Sequence, residues 1–100
     1  MREIGFERAS AKWMKREDER ILEFLADRGL ATHRLISREA FEKVSPKHVA
    51  ERLAMLEYAG LCDCEGWESY ELTNRGKEYL SGELDAAHLP RPTVDRVLRG

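Results

Sequence analysis

The apolar positions in the first part of the chain recur with the spacing of an α-helix. The stretch 13–28 carries one apolar stripe, which consists of Met14, Ile21, Leu22 and Leu25. Gly29 follows this stripe and predicts the end of a first helix. A second, shorter helix is predicted to begin after Thr32, whose hydroxyl can cap it. This second helix would bury Leu35, Ile36, Ala40 and Phe41.

The sequence defines both ends of a third helix. Ser45 is a typical N-cap residue, and Pro46 occupies the first helical position, where its missing N–H costs nothing. Gly60 suits the left-handed residue that ends a helix. At about 100° per residue, one side of this helix is predicted to be core and holds Val49, Leu53 and Leu56. The opposite side holds Lys47, Glu51, Ala54, Met55 and Tyr58, with His48 and Arg52 on its flank.

After the third helix, the period of the pattern changes. Apolar and polar residues alternate in "LCDCE" and "SYELT", and Gly66-Trp67 lies between these two segments, so a β-hairpin is predicted. A fourth helix is predicted after Thr73, and it would contribute Leu72, Tyr79, Leu80 and Leu84 to the core. In the tail, the spacing of Val94, Val97 and Leu98 is compatible with a short C-terminal helix.

The length of 100 residues corresponds to one domain. We divide the chain into an N-terminal arm at 1–12, a folded domain at 13–85 and a tail at 86–100. No apolar run is long enough to span a membrane, and the N-terminus has no apolar segment typical of a secretory signal. Two cysteines this close together cannot form a disulfide between distant segments, which favours the reducing cytoplasm.

Charge is distributed unevenly along the chain. The formal net charge is −2, but residues 28–52 contain six basic residues against three acidic ones. Residues 62–71, in contrast, contain four acidic residues and no basic one. A positive stretch of this kind can attract a polyanion. It is also compatible with an ordinary solvated surface, and charge alone slightly favours this second interpretation.

Residue types and spacing argue against an enzyme. The chain has no glycine-rich phosphate loop, no metal-ligand cluster and no nucleophile paired with a base, so we expect no catalytic residue, cofactor or metal. Cys62 and Cys64 lie two positions apart on a predicted strand, and both are interpreted as small residues packed under the hairpin. Trp67 at the hairpin tip either contacts a partner or folds back over the hairpin.

Three helices, a hairpin and a further helix follow the order of a winged helix-turn-helix. The segment "YAGLCDCEGWESYELTNRGKEYL" resembles the wing and following helix of MarR-like regulators, in particular its Leu-Thr-x-x-Gly-x-x-Tyr-Leu element. "WMKREDERILEFLADRGLAT" and "LSGELDA" make the chain more similar still to the φH repressor-like winged-helix proteins of halophilic archaea. The resemblance covers residues 13–85 and implies a mostly α, α+β fold with three helices, a hairpin wing and a C-terminal helix. The wing tip departs from many wings because it lacks a basic residue.

The resemblance implies a cytoplasmic, sequence-specific transcriptional regulator that binds double-stranded DNA. We expect a repressor that occupies an operator and places the helix at 46–59 in the major groove. Lys47 and Arg52 suit guanine acceptors or phosphate, Glu51 suits a cytosine amino group, and the free N–H groups near Ser45 suit phosphate. The predicted DNA-binding residues are Thr32, His33, Arg34, Ser45, Lys47, His48, Glu51, Arg52 and Met55.

Two further expectations concern partners. Regulators of this kind commonly bind as two-fold dimers, so a homodimer is expected. Its candidate contacts are apolar residues outside the winged core, although each could equally pack onto its own domain: Phe6, Trp13, Val94, Val97 and Leu98. The alternative function is a winged-helix module that binds another protein and no DNA. The acidic wing favours this alternative.

Overall fold

The computed structural model describes residues 8–99, which form a mostly helical fold with one small sheet. The helices are α1 (Arg16–Arg28), α2 (His33–Ala40), α3 (Pro46–Ala59), α4 (Asn74–Ser81) and α5 (Val94–Arg99), with a 3₁₀ turn at Ala86–His88. The strands are β1 (Ala31–Thr32), β2 (Cys62–Cys64) and β3 (Ser69–Leu72), and they form an antiparallel sheet in the order β1-β3-β2. This arrangement confirms the predicted winged helix-turn-helix. No helix within residues 8–99 is long and apolar enough to cross a membrane.

The three predicted N-caps are present. The hydroxyl oxygen of Thr32 accepts a hydrogen bond from the Leu35 backbone N–H at 3.1 Å, and Ser45 and Thr73 do the same for α3 and α4. Gly60 ends α3 with a φ of 92°, in the left-handed region that favours glycine. Only α1 begins later than predicted, at Arg16, because the Asp18 carboxylate accepts a hydrogen bond from the Lys15 backbone N–H at 2.9 Å.

The core lies where α1, α2 and α3 meet the base of the sheet. Val49, Leu53 and Leu56 are fully buried, which confirms the predicted core side of α3. The other large buried side chains of the core come from α1, α2, α4 and the start of the hairpin: Ile21, Leu22, Leu25, Ile36, Leu61, Cys62 and Tyr79. Trp13 packs partly buried against this same core, so it belongs to its own domain, whereas Phe6 lies outside the described residues.

The two cysteines have different surroundings, so the prediction that both are packed is wrong for one of them. Cys62 is fully buried opposite Leu72, and burial raises the pKa of its thiol well above the usual range. Cys64 is exposed, because the end of β2 where Cys64 pairs with Tyr70 extends beyond the core. The two residues are on the same side of the strand, but only the base of the hairpin is covered.

The Leu-Thr-x-x-Gly element joins the end of α3 to the start of α4. The Thr73 hydroxyl donates to the Gly60 carbonyl at 2.7 Å and accepts from the Gly76 N–H at 3.0 Å. The Thr73 N–H donates to the Leu61 carbonyl at 3.2 Å. A Cβ added to Gly76 would lie 2.3 Å from the Leu61 carbonyl oxygen and 2.6 Å from the Leu72 Cδ1. The element is therefore a structural junction that requires glycine at this position.

Described residues before 13 and after 85 pack against the rest of the fold. Ala9 and Asp85 form a parallel bridge, and the Ala86 N–H donates to the Ala9 carbonyl at 2.9 Å. Further along, Leu89 and Pro92 are also buried. The short C-terminal helix predicted from Val94, Val97 and Leu98 is present as α5. It follows directly after this buried segment and lies near α3.

Candidate nucleic-acid interface

The α2–α3 pair provides a rigid frame for the face of α3 that is predicted to read DNA. The two helices pack against each other along their buried sides. The turn between them is fixed by the hydroxyl of Ser37, which is buried and donates to the Val44 carbonyl at 2.6 Å. The orientation of α3 is therefore set by packing and by a hydrogen bond on the side away from solvent.

The exposed face of α3 lies opposite the buried stripe. Lys47 and Glu51 are exposed, while Ala54 and Met55 are half-buried. Tyr58, one turn further on, is 38% exposed. Ser45 is exposed at the N-terminal end of the same helix, where its hydroxyl oxygen accepts from the His48 N–H. Of the predicted site residues, Ser45, Lys47 and Glu51 are therefore accessible at the N-terminal end of this face, and Met55 lies further along it, half-buried.

Arg52 does not lie on this exposed side, and its prediction as a surface residue for phosphate is corrected. The residue is only 6% exposed, and its side chain donates two hydrogen bonds to the fully buried Asp18 carboxylate, Nε to Oδ1 and Nη2 to Oδ2, each at 2.8 Å. Nη2 also donates to the Trp13 carbonyl at 3.2 Å. These hydrogen bonds from Arg52 to Asp18 raise the pKa of Arg52. Arg52 is therefore a buried cation that links α3 to the start of α1.

His48 lies on the flank of the exposed face, next to α1. Its Nε2 is 3.3 Å from Oε2 of Glu17, and its Nδ1 is 4.0 Å from Oε1 of Glu51. The pKa of Glu17 is lowered, mainly by a hydrogen bond from its own backbone N–H and further by the charge of His48. His48 is thus held between two carboxylates of its own chain, and its contact with DNA stays a prediction.

The structure brings the N-terminal end of α2 close to the wing. Thr32 caps α2 and pairs with Ser69 in the sheet, and His33 next to it is half-buried. The exposed Arg34 forms an ion pair with Glu68 on the wing, with Nη1 2.8 Å from Oε1. Sequence reasoning missed this pair because the two residues are 34 positions apart. A basic side chain from α2 therefore reaches an otherwise acidic wing.

Trp67 projects from the tip of the wing. Its side chain is 91% exposed, so of the two alternatives it does not fold back over the hairpin. All four acidic residues of the wing strands and tip are exposed as well: Asp63, Glu65, Glu68 and Glu71. The wing thus presents one large aromatic ring among carboxylates.

The short helix α5 lies along the exposed face of α3, which the sequence did not indicate. An open cleft of about 570 Å³ separates the two helices. On the α3 side, the cleft is lined by Glu51, Ala54 and Met55. On the α5 side, it is lined by Val94, Val97 and Leu98. The same cleft is also lined by Lys15, His48 and Arg52. A second, smaller cleft further along α3 is lined by Val97 on one side and by Ala54 and Tyr58 on the other.

The described residues do not assemble a metal site. Across residues 8–99, no group of three or more His, Cys, Asp or Glu side chains is arranged to hold a metal ion.

Comparison with known proteins identifies relatives of this fold. The family described as winged helix-turn-helix phage repressor matches residues 7–91. The chain is also similar to the crystal structure of the PhiH1 repressor-like protein from Haloarcula marismortui, with 29% sequence identity and a TM-score of 0.79. The match covers 86% of this chain and 98% of the other. No curated protein matches the chain.

Proposed function

Because the chain belongs to the winged helix-turn-helix phage repressor family, we propose that it represses transcription by binding an operator in double-stranded DNA. The predicted resemblance to the φH repressor-like group is confirmed by the family match and by the similar structure from Haloarcula marismortui. The family is one of regulators, so the prediction that the chain is not an enzyme is also confirmed. The proposal adds the ligand, the contacting face and the sign of regulation.

The exposed N-terminal half of α3 carries this proposal. Its polar residues point away from a fully buried stripe, and a single helix fits into a major groove about 12 Å wide. Lys47 would donate to guanine or to phosphate, and Glu51 would accept from a cytosine amino group. The Ser45 end of the helix would direct free N–H groups at phosphate. Met55 would provide an apolar contact.

We further propose that the protein acts as a homodimer in the cytoplasm of an archaeon. The similar structure comes from a haloarchaeon, which supports the host, and a two-fold dimer matches the way such regulators commonly read two half-sites. Val94 and Leu98 are 63% and 80% exposed, so they are available for a contact between copies. Trp13 is not, because it packs against its own core.

The alternative function is a module that binds another protein. The exposed Trp67 on an acidic wing supports it, because exposed aromatic residues are enriched at protein interfaces and carboxylates repel phosphate. This alternative predicts binding at the wing and no dependence on Lys47.

We expect Lys47→Ala to weaken binding to double-stranded DNA and to reduce the salt dependence of the affinity by about one unit of slope, because one counterion fewer is released. The measurement is a salt titration of labelled duplex DNA by fluorescence anisotropy. Lys77→Ala is the matched control, since Lys77 is also exposed but lies on α4. Equal slopes for the parent and both variants, or no binding by the parent at low salt, would remove α3 as the DNA-reading element.

A further inference from the structure

The helix α5 lies beside part of the α3 face that the proposed function assigns to DNA. The α3 residues that face it across the two clefts are spaced along one stripe, opposite the buried side: Glu51, Ala54, Met55 and Tyr58. Lys47, one turn before this stripe, does not line either cleft. The face is therefore open at its N-terminal end and flanked by α5 toward its C-terminal end, where Ala54 and Met55 are half-buried while Glu51 and Tyr58 remain exposed.

With α5 beside it, α3 is too wide to enter the major groove. A helix with its side chains is about 10–12 Å across, which already fills a major groove about 12 Å wide. Two helices packed side by side lie about 8–10 Å apart, so the α3–α5 pair is far wider than the groove. With α5 in place, only the first turn of α3 around Lys47 can approach the bases.

The contact between α5 and α3 is weak because α5 is short and buries little apolar surface. The helix has six residues, which is too short to be stable by itself. Two of its three apolar side chains remain mostly exposed while it is docked, since Val94 is 63% and Leu98 is 80% exposed. Only Val97 is half-buried. Little buried apolar surface therefore becomes exposed to water when α5 leaves α3.

The connection before α5 provides a place for it to pivot. Pro92 is buried, so the chain is fixed to the domain up to this residue. The next residue, Thr93, caps α5, with its hydroxyl oxygen accepting from the Arg96 N–H at 3.1 Å. A rotation at this junction would move α5 as one piece and leave the core, including Leu89, in place.

We propose that α5 is a displaceable cover of the DNA-reading face, so that the protein binds DNA fully only after α5 has moved away from α3. This proposal rests on the proposed function. The docked and open states are in equilibrium. The apparent affinity for DNA is the affinity of the open state multiplied by the fraction of molecules that are open. Anything that holds α5 elsewhere, including a second copy of the chain on its exposed Val94 and Leu98, would raise the affinity.

The first test loosens the cover without changing the charge. We expect Val97→Asn to tighten binding to duplex DNA, by about ten-fold if α5 is docked in nine-tenths of the molecules. Ala87→Asn is the control, because Ala87 is exposed on the 3₁₀ turn and does not line the clefts. Circular dichroism verifies that both variants are folded. An affinity that stays equal to that of the parent, or falls, would overturn the proposal.

The second test observes α5 directly in the otherwise intact chain. A spin label is attached to Leu98→Cys in a Cys64→Ser background, where the remaining Cys62 is buried and unreactive. Since Leu98 and Met55 line the same cleft, the label should broaden the Met55 methyl signal in the free protein. We expect duplex DNA to restore this signal, and persistent broadening in the complex would overturn the cover.

The two tests also separate this proposal from the proposed function. If the parent binds DNA through Lys47 and Val97→Asn binds no tighter, only the cover fails. If neither the parent nor Val97→Asn binds DNA at low salt, both proposals fail.

Discussion

Replacing Arg52 by methionine is expected to lower the free energy of unfolding by about 3–5 kcal/mol. The substitution keeps most of the side-chain volume but leaves the Asp18 carboxylate, which is fully buried, without its cation. An unpaired buried charge is far more costly than the modest net gain from the pair itself. Urea unfolding followed by circular dichroism measures the loss.

A double-mutant cycle isolates the Asp18–Arg52 pair. Asp18→Asn alone should also destabilise the protein, since it removes one charge and leaves the other. The double variant, Asp18→Asn with Arg52→Met, should lose less free energy of unfolding than the two single variants together, because it leaves no unpaired buried charge. Glu51→Ala, on the exposed face of the same helix, should change stability by less than about 0.5 kcal/mol. If Arg52→Met unfolds at the same urea concentration as the parent, the buried pair does not hold α3 in place.

Gly76→Ala should destabilise the protein by about 3 kcal/mol or more. Alanine is the better helix former by about 1 kcal/mol, so propensity alone predicts the opposite sign. The steric effect dominates, because the new Cβ would lie 2.3 Å from the backbone oxygen of Leu61, which cannot move without breaking its hydrogen bond to the Thr73 N–H.

The control for this substitution is Lys77→Ala, at the next position of α4, where the side chain is exposed. Thermal or urea unfolding of both variants gives the comparison. A Gly76→Ala protein as stable as the Lys77→Ala protein would show that the junction between α3 and α4 tolerates a side chain.

Features set by neighbouring residues could be predicted from the sequence. Ser45 caps α3 through an N–H three residues away, and Gly60 ends the same helix by its own conformation. The buried stripe of α3 follows from helical geometry once those ends are known. The resemblance located the Leu-Thr-x-x-Gly element, but only the structure shows that Gly76 is required by the approach of the Leu61 carbonyl.

Features that depend on distant residues could not be predicted. Arg52 lies on the flank of α3, where the helical pattern is compatible with a surface charge. Its burial depends on Asp18, which lies 34 positions earlier on another helix. In the same way, Val94, Val97 and Leu98 indicate a helix with an apolar side but do not indicate which face of the protein it covers. The helical pattern therefore indicated correctly that Lys47 and Glu51 are exposed, but it was wrong about Arg52 and did not place α5 beside α3. That the exposed side of α3 contacts DNA stays a prediction.

Chemical-shift mapping with double-stranded DNA tests the central claim most directly. On addition of a short duplex at low ionic strength, the backbone amide signals of residues 45–51 should shift the most, and the Trp67 indole signal at the wing tip should change little. The opposite pattern, with the Trp67 signal shifting and residues 45–51 unchanged, would contradict insertion of α3 into the major groove.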